Sequence, residues 1–183
     1  MAAPTKNKSR PVPTSRLPRD FYARPTVAVA KDLLGKIMVF NGIAATITET
    51  EAYVGKNDEA CHASRGKTKR TEIMFGPPGH SYVYFIYGMY HCLNFVTEPE
   101  GTAAAVLIRG CQLLDDSKLH LNGPGKLCRH FGITRDYNAI DLCSDPDFYV
   151  LDHPIRPKFD TTPRIGISKA KDKLWRYVVK SNS

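Results

Sequence analysis

The sequence lacks the features of several common protein classes. No apolar run approaches the ~20 consecutive residues that a membrane-spanning helix needs, and the lysine-containing N-terminus has no apolar stretch of the kind found in secretory signals. The five cysteines are an odd number, and none of them are spaced Cys-x-x-Cys. We therefore predict no membrane segment, no disulfide framework and no zinc site, and we expect an intracellular protein with reduced thiols.

Length and charge set further limits. With 183 residues, of which 42% are hydrophobic and 24% charged, the chain can form one globular domain with a substantial core, but not two. The net charge is +8, but residues 1–19 contribute five basic residues and no acidic ones, which leaves +3 for the remainder. We therefore predict a disordered basic tail over residues 1–19 and a single domain over residues 20–183. A mildly basic domain is compatible with a nucleic-acid partner without requiring one.

Aromatic and β-branched residues are concentrated in residues 82–95. Two such runs flank Tyr87-Gly88-Met89, which predicts a β-hairpin whose tight turn contains Gly88. A three-residue loop would place three pairs of residues opposite each other, namely Ile86 and Tyr90, Tyr84 and Cys92, and Tyr82 and Asn94. The side chains of Tyr87 and Met89 either fold back onto the core or form a wedge that enters stacked bases.

The remaining pattern predicts an α+β fold: a single domain with a curved, mostly antiparallel sheet, short helices and a protruding β-hairpin. Helices are expected over residues 19–23, over residues 27–34 with Thr26 as N-cap and Gly35 as stop, and from Gly123-Pro124-Gly125 to Phe131 with Gly132 as stop. Strands are expected over residues 36–40, 43–53, 103–108, 148–151, 164–168 and 174–180, with Asn41-Gly42 as the first turn.

Two carboxylates occupy one predicted strand. Alternation along residues 43–53 would place Ile47, Glu49, Glu51 and Tyr53 on the same face. One interpretation is a solvated face at a sheet edge. The other is a carboxylate in a pocket, where burial raises its pKa and makes it suitable as a general base.

The long connection over residues 54–80 carries positive charge. Five basic residues are candidates for phosphate contacts: Arg65, Lys67, Lys69 and Arg70 in this connection, and Lys126 at the predicted start of the third helix. Basic side chains and main-chain N–H groups at a helix start both suit such contacts, although a solvated loop has the same composition. The connection also contains His62, and a lone histidine is more often structural than catalytic.

Taken together, six blocks resemble the alkyladenine (3-methyladenine) DNA glycosylase family and follow its order from about residue 21 to residue 179. The blocks are Glu49-Thr-Glu-Ala-Tyr53, Asp58-Glu-Ala-Cys-His62, Tyr82-Val-Tyr-Phe-Ile-Tyr-Gly-Met-Tyr90 with Asn94, Val106-Leu-Ile-Arg109, Gly123-Pro-Gly-Lys-Leu-Cys128 and Pro163-Arg-Ile-Gly-Ile167. The chain departs from the family pattern over residues 110–122, where the family normally has a longer, helix-containing segment with basic residues.

The resemblance implies a base-excision repair enzyme that flips alkylated or deaminated purines, such as 3-methyladenine and hypoxanthine, out of duplex DNA and hydrolyses the N-glycosidic bond. It implies a monofunctional, monomeric enzyme without cofactor or metal. The partner would be double-stranded DNA containing damaged purines, in the cytoplasm of a prokaryote or the nucleus of a eukaryote.

The resemblance also implies roles for individual residues. Glu51 resembles the general base that activates water, and Arg109 resembles the residue that positions this water and the carboxylate. The other site residues implied are Tyr53, His62 and Tyr84 around the flipped base, Asn94 as a screen against normal purines, Tyr87 in the vacated space of the duplex, and Met89 against a neighbouring base.

Three other functions fit the sequence less well. A zinc base deaminase needs a His-x-Glu pair and a later Pro-Cys-x-x-Cys, but Ala63-Ser64 follows His62 and no Cys-x-x-Cys is present. A sugar hydrolase needs carboxylates on both sides of the scissile bond, and Glu49 and Glu51 are too close along one strand. A non-catalytic nucleic-acid-binding domain could use the aromatic hairpin as a stacking platform, and it would not need Glu51.

Overall fold

The computed structural model of the protein describes residues 15–180, which form three α-helices and nine β-strands. The helices are α1 (Arg19–Tyr22), α2 (Thr26–Asp32) and α3 (Pro124–Phe131). The strands are β1 (Ile37–Phe40), β2 (Ile43–Val54), β3 (Ser81–Ile86), β4 (Tyr90–Val96), β5 (Ala104–Leu113), β6 (His120–Asn122), β7 (Phe148–Leu151), β8 (Phe159–Thr162) and β9 (Arg176–Val179). Short 3₁₀ helices at His62–Arg65 and Glu72–Phe75 interrupt the long connection between β2 and β3.

All nine strands belong to one curled antiparallel sheet, which confirms the α+β class. Six of them follow the order β3-β4-β5-β2-β1-β7, while β6 pairs with β5, and β9 pairs with both β2 and β8. The long strands β2 and β5 pair along most of their length at the centre. Because each of these two strands has hydrogen-bonded neighbours on both of its edges, side chains on β2 and β5 have well-fixed positions.

Two tight turns of the sheet use the same backbone conformation. Asn41 and Gly42 between β1 and β2 have φ angles of 47° and 80°, and Tyr87 and Gly88 between β3 and β4 have 53° and 66°. Positive φ at two successive residues is the requirement of the hairpin turns that Asn-Gly satisfies best. Strands β3 and β4 pair in the predicted register, with Ile86, Tyr84 and Tyr82 opposite Tyr90, Cys92 and Asn94.

Two irregularities in the β2–β5 pairing change which way side chains face. Ile47 pairs with Cys111, Glu49 with Gly110 and Thr50 with Ile108, so each strand has one extra residue near this point. The prediction that Ile47 shares a face with Glu49 and Glu51 is wrong for this reason. Ile47 is buried in the main core, because a bulge reverses the alternation between it and Glu49.

The main hydrophobic core lies on the side of the sheet that α1 and α2 cover. Tyr22, Val29, Leu33 and Ile47 are among its fully buried members. Thr50, the neighbour of both glutamates in the strand, donates a hydrogen bond from its hydroxyl to the main-chain oxygen of Ala30 in α2 at 2.8 Å. Since neighbours in a strand face opposite ways, Glu49 and Glu51 face away from this core.

The start of α2 differs from its prediction. Thr26 is the first helical residue rather than the N-cap, which is Pro25. The hydroxyl and main-chain N–H of Thr26 both donate to the Glu98 carboxylate, at 2.6 and 3.1 Å. A carboxylate distant in sequence therefore satisfies the helix start, which a local pattern does not reveal. The end of α3 follows its prediction, since Gly132 takes the left-handed conformation.

Several boundaries also differ from the sequence predictions. The predicted strand over residues 164–168 is absent from the described structure, and β8 at Phe159–Thr162 was not predicted. Residues 110–122 form the end of β5, a turn and β6. Of the predicted tail, residues 1–14 lie outside the described range, whereas residues 15–19 join the fold. Leu17 is buried and its N–H donates to the Val150 oxygen at 2.8 Å.

Candidate active site

A cavity of about 570 Å³ opens on the side of the sheet opposite α2. Its wall includes Tyr53, His62, Tyr82, Tyr84, Asn94 and Arg109. The start of α3 at Pro124–Lys126 and the segment over residues 165–169 close its other sides. The structure therefore brings together strands β2 to β5, the long connection after β2, and a segment before β9. We call this cavity the pocket.

The Glu51 carboxylate lies fully buried behind the wall of the pocket. One oxygen, Oε2, accepts a hydrogen bond from the Tyr53 hydroxyl at 2.7 Å. The other, Oε1, accepts from the main-chain N–H of Ile165 at 2.8 Å and lies 3.5 Å from Nε of Arg109. All three of these donors belong to residues that line the pocket. Glu51 is thus separated from the pocket by its own hydrogen-bond partners.

Opposing effects act on the pKa of Glu51. Burial raises the pKa above its ordinary value, because a charged carboxylate loses hydration there. The Arg109 guanidinium, the Ile165 N–H and the Tyr53 hydroxyl lower it by stabilising the ionised form, and the negative charge of Glu49 raises it. Burial prevails, so the net shift is upward. A carboxylate with a raised pKa is a stronger base than one in water.

Arg109 bridges the two carboxylates of β2. Its Nε donates to Oε1 of Glu49 at 3.0 Å and lies 3.5 Å from Oε1 of Glu51. The same Glu49 oxygen accepts from Nε of Arg176 in β9 at 2.6 Å. Two glutamates and two arginines therefore form one partly buried cluster beside the pocket. No sequence pattern indicates that Arg176 belongs to this cluster.

Aromatic rings form one side of the pocket. The rings of His62 and Tyr84 lie edge to face with their centroids 4.5 Å apart, and Tyr82 and Tyr84 lie 5.4 Å apart. Tyr82 and Tyr84 are two residues apart in β3, so both face the pocket. Burial raises the pKa of Tyr53, as does the adjacent Glu51 carboxylate, so its hydroxyl keeps its proton and donates it.

His62 is neutral in this environment. Partial desolvation of the ring at the pocket wall and the adjacent Arg70 guanidinium lower its pKa to about 4, although one side of the residue is exposed. Nη2 of Arg70 lies 3.5 Å from His62 Nε2, and Nδ1 lies 3.2 Å from the Tyr82 hydroxyl. Because a guanidinium can only donate, Nε2 is the acceptor and the ring proton is on Nδ1.

Asn94 has both a structural and a pocket-facing part. Its amide nitrogen donates to the main-chain oxygens of Tyr82 at 3.1 Å and Cys92 at 3.4 Å, so part of its role is to satisfy the backbone of the hairpin. The side chain is buried and lines the pocket. These hydrogen bonds hold the amide in one orientation at the pocket wall.

The tip of the β3–β4 turn is exposed. Tyr87 has 77% and Met89 has 61% of its surface accessible. The structure therefore excludes the interpretation in which these side chains fold back onto the core. Tyr87 also occupies a left-handed backbone conformation, which residues with bulky side chains rarely adopt.

The predicted phosphate-binding residues are dispersed. Arg65, Lys67 and Lys69 are exposed on the connection after β2, and Nζ of Lys67 lies 3.6 Å from a Glu72 oxygen. Arg70 instead contacts the pocket wall, since its guanidinium carbon lies 5.2 Å from the Tyr84 ring centroid. Lys126 lines the pocket at the start of α3 and donates to Asn122 at 3.0 Å.

A buried ion pair joins the two loops of the site. The guanidinium of Arg164 donates to both Asp58 oxygens, at 2.6 and 2.7 Å, and both side chains are fully buried. Its carbon also lies 4.6 Å from the Tyr53 ring centroid and 5.2 Å from that of Trp175. This pair ties the loop that carries His62 to the segment that carries Ile165. Local sequence patterns could not connect these two residues, which are 106 positions apart.

The described part of the chain contains neither a metal-binding cluster nor a membrane-spanning helix. Over residues 15–180, no group of three or more His, Cys, Asp or Glu side chains is arranged to hold a metal ion. No helix within that same range is long and apolar enough to cross a membrane.

Comparisons with known proteins find relatives that cover most of this chain. The sequence profile of the family described as methylpurine-DNA glycosylase matches residues 20–183. A protein of Rickettsia felis is 58% identical over 163 residues, with 89% of this chain and 92% of that protein covered. A Wolbachia protein (subspecies Brugia malayi) is 56% identical, with 89% and 96% covered, and a Rickettsia typhi protein is 47% identical, with 91% and 93% covered. All three carry provisional names as 3-methyladenine DNA glycosylases.

Proposed function

The chain belongs to the methylpurine-DNA glycosylase family, and from this membership we propose that it excises damaged purines, including hypoxanthine and 3-methyladenine, from duplex DNA by water attack on a flipped nucleotide. Membership makes the protein a DNA glycosylase, a hydrolase of N-glycosyl bonds that acts on DNA. The lesion classes, the base flipping and the residue roles are the proposal.

The observation that supports this mechanism best is the buried Glu51 carboxylate behind an aromatic pocket. Burial raises the pKa of this carboxylate, and burying an ionisable group costs stability. An apolar side chain would fill the same space without this cost, so a purely structural role does not explain a glutamate here. Arg109, Tyr53 and Ile165 favour the ionised form of the carboxylate against the effect of burial. Glu51 is therefore a poorly solvated base whose ionised form has three hydrogen-bonding or charged partners.

The chemical step follows from this arrangement. The bond between sugar C1′ and the base nitrogen breaks, the base departs with the bonding electrons, and the sugar takes on oxocarbenium character. A water oxygen bonds to C1′ while Glu51 accepts the water proton, and the negative carboxylate stabilises the adjacent cation. Since Glu51 is closed off in the free protein, DNA binding must shift Tyr53 or Ile165 to admit the water.

The pocket walls suit an extruded purine. Arg164 covers one face of the Tyr53 ring, which leaves the other face for a base. Tyr84 and His62 line the same pocket, and alkylated purines that carry positive charge are attracted to such electron-rich rings. His62, with its proton on Nδ1, presents Nε2 as an acceptor that Arg70 now occupies.

The turn residues and Asn94 complete the proposal. Tyr87 fills the gap that a flipped base leaves in the duplex, and Met89 contacts an adjacent base. Asn94 acts as a steric screen: guanine differs from hypoxanthine by a 2-amino group, and an amide tied to two main-chain oxygens cannot rotate away from it. Basic residues of the connection after β2 contact phosphates.

The test is single-turnover excision of hypoxanthine from a defined duplex. Glu51→Gln preserves the shape but can neither take a proton nor stabilise the cation, so we expect a rate at least ~100-fold lower, with binding to the lesion duplex retained. In the same assay, Asn94→Ala should raise excision of guanine relative to hypoxanthine. A Glu51→Gln protein that excises as fast as wild type would show that Glu51 is not the base, and a wild-type protein that excises nothing would leave only a non-catalytic binding domain. An unchanged ratio of guanine excision to hypoxanthine excision would leave Asn94 only its backbone role.

A further inference from the structure

Glu49 has an environment that the proposed mechanism does not use. Its side chain is 11% exposed, and its Oε1 accepts hydrogen bonds from both Arg109 and Arg176, at 3.0 and 2.6 Å. An ordinary surface glutamate would not be enclosed by two guanidinium groups. One of these guanidinium groups is the same one that contacts Glu51.

We propose that Glu49 is a positioning residue for the reaction: it holds Arg109 between two carboxylates, and thereby prevents Glu51 from being locked in a closed ion pair. The inference rests on the proposed function, because it assigns Glu49 a task only if Glu51 is the base. The Arg109 nitrogen is nearer to Glu49, at 3.0 Å, than to Glu51, at 3.5 Å. The stronger contact therefore goes to the carboxylate that does not react.

Irregularities in the backbone of β2 and β5 place Glu49 and Arg109 next to each other. Thr48 is the extra residue on β2 and Arg109 the extra residue on β5, so the paired irregularities bring Glu49 and Arg109 to the pocket side of the sheet together. A Cβ atom on Gly110, which pairs with Glu49, would lie 3.1 Å from the Glu49 Cβ and 3.1 Å from the Thr48 hydroxyl. Glycine leaves the space that Glu49 occupies. Bulges commonly redirect side chains beside functional sites.

Arg176 fixes the far side of Glu49. It extends from β9, which pairs with β2 at this level, and its Nη1 donates to the Thr162 hydroxyl of β8 at 3.0 Å. The contacts therefore run from β8 through Arg176, Glu49 and Arg109 to Glu51. This linkage gives the two short strands at the edge of the sheet a role in the geometry of the site.

The expected consequence is electrostatic as well as geometric. Several charged and titratable groups surround Glu51. Those with an electrostatic influence between them and Glu51 are Arg109 of β5, Cys92 of β4, Tyr84 of β3, Glu49 and Tyr53 of β2, and Arg164 of the segment before β9. Arg176 of β9 lies opposite Glu51 in the pairing of β2 with β9. Removing the Glu49 charge removes one influence that raises the Glu51 pKa. It also frees Arg109 to pair fully with Glu51. Both changes make Glu51 a weaker base.

The experiment compares Glu49→Gln and Arg176→Gln with wild type in single-turnover excision of hypoxanthine between about pH 5 and pH 8. The rate rises with pH as the base loses its proton. Glu49→Gln should lower the plateau rate at least ~10-fold and move the rising limb to lower pH. Arg176→Gln removes a positive charge and leaves Arg109 as the guanidinium partner of Glu49. The rise of the excision rate should therefore move to higher pH in this variant. Affinity for the lesion duplex should stay within about threefold in both variants.

The outcomes separate this inference from the proposed function. A wild-type protein without excision, or an active Glu51→Gln protein, overturns the proposed function. An active wild type and an inactive Glu51→Gln protein, combined with a Glu49→Gln profile equal to wild type, overturns only the role of Glu49. A Glu49→Gln protein that is slow but whose rate rises at the same pH as that of wild type also overturns the inference, because such a result indicates structural damage only. If Glu49→Gln does not fold, Arg176→Gln decides, and an unmoved limb in that variant overturns the inference.

Discussion

At the residue scale, the Glu51 carboxylate should reduce the stability of the fold that it serves. Burial raises its pKa in the folded state, so the folded protein prefers the protonated form more than the unfolded chain does. The resulting stabilisation is present below the ordinary glutamate pKa and is lost as the pH rises through the folded-state pKa. At neutral pH the charge is a net cost, which a neutral amide avoids.

We therefore predict that Glu51→Gln is more thermostable than wild type at pH 7. A rise in Tm of roughly 2–4 °C corresponds to about 1 kcal/mol in a domain of this size. The difference should shrink as the pH is lowered toward the ordinary glutamate pKa, where wild type also becomes neutral. Thermal unfolding followed by circular dichroism measures it. Glu72→Gln is the matched control, because this exposed residue should change Tm little, and a Glu51→Gln protein with a lower Tm at pH 7 would contradict the prediction.

Site residues differ in how readily they can be predicted from the sequence. Tyr82 was not among the predicted pocket residues, although it lies two positions from Tyr84 in a strand and alternation alone could have placed it there. The contact of Glu49 with Arg176 could not be found in this way, since the two are 127 positions apart and meet only through the pairing of β2 with β9. Alternation also failed at Ile47, because a bulge has no local sequence signature as strong as that of a turn.

At the element scale, the two tight turns provide a comparison within one molecule. Asn41 and Tyr87 hold the equivalent first position of their turns, both with positive φ. Asparagine tolerates this conformation, whereas a tyrosine there costs about 1–2 kcal/mol. From a strained, exposed aromatic residue at a turn that asparagine would stabilise, we propose that Tyr87 makes a contact with a molecule outside the domain.

We predict that Tyr87→Asn stabilises the protein and weakens its binding to damaged DNA. Relief of strain should raise Tm by a few degrees, about 2–4 °C per kcal/mol. Loss of stacking should cost about 1–3 kcal/mol in affinity for a duplex with an abasic analogue, measured by titration at fixed salt.

The reciprocal substitution is the control for this turn. Asn41→Tyr introduces the same strain between β1 and β2, so it should lower Tm without changing the affinity for DNA. Equal affinities of Tyr87→Asn and wild type would show that the exposed ring does not enter the duplex. A fall in Tm for Tyr87→Asn would show that Tyr87 stabilises the turn rather than straining it.

Elements were predictable where hydrogen bonding is local. The register of β3 and β4 follows from the length of their turn, and the end of α3 follows from Gly132. The predicted strand over residues 164–168 failed because its backbone pairs with a side chain: the Ile165 N–H donates to Glu51 instead of to a neighbouring strand. Strand β8 was missed because Asp160, Thr161 and Thr162 show no apolar alternation, and β9 alone supplies its partners.

At the scale of the whole molecule, the two sides of the sheet differ: one carries the main core and the other carries the candidate site. One side packs against α1 and α2 around a continuous core, whereas the other side carries the glutamates, the pocket and the long connection after β2. Irregular loops cover the functional side, and the Asp58–Arg164 pair holds them in place. Arg65 and Lys69 of that connection are basic and exposed.

This division leads to a prediction about salt. Removal of one phosphate-binding side chain should reduce the slope of log affinity against log salt concentration by about 0.9. Lys69 lies on the connection beside the pocket, and Lys31 lies on α2, which packs against the opposite side of the sheet. Substitution of either by Gln removes one positive charge, so the two variants have equal net charge. We expect Lys69→Gln to reduce the slope by about one and Lys31→Gln to leave it unchanged, in titrations of undamaged duplex between about 50 and 200 mM salt. Equal reductions in both variants would mean that DNA responds to the overall charge of the protein, and that the connection after β2 is not the surface that contacts its phosphates.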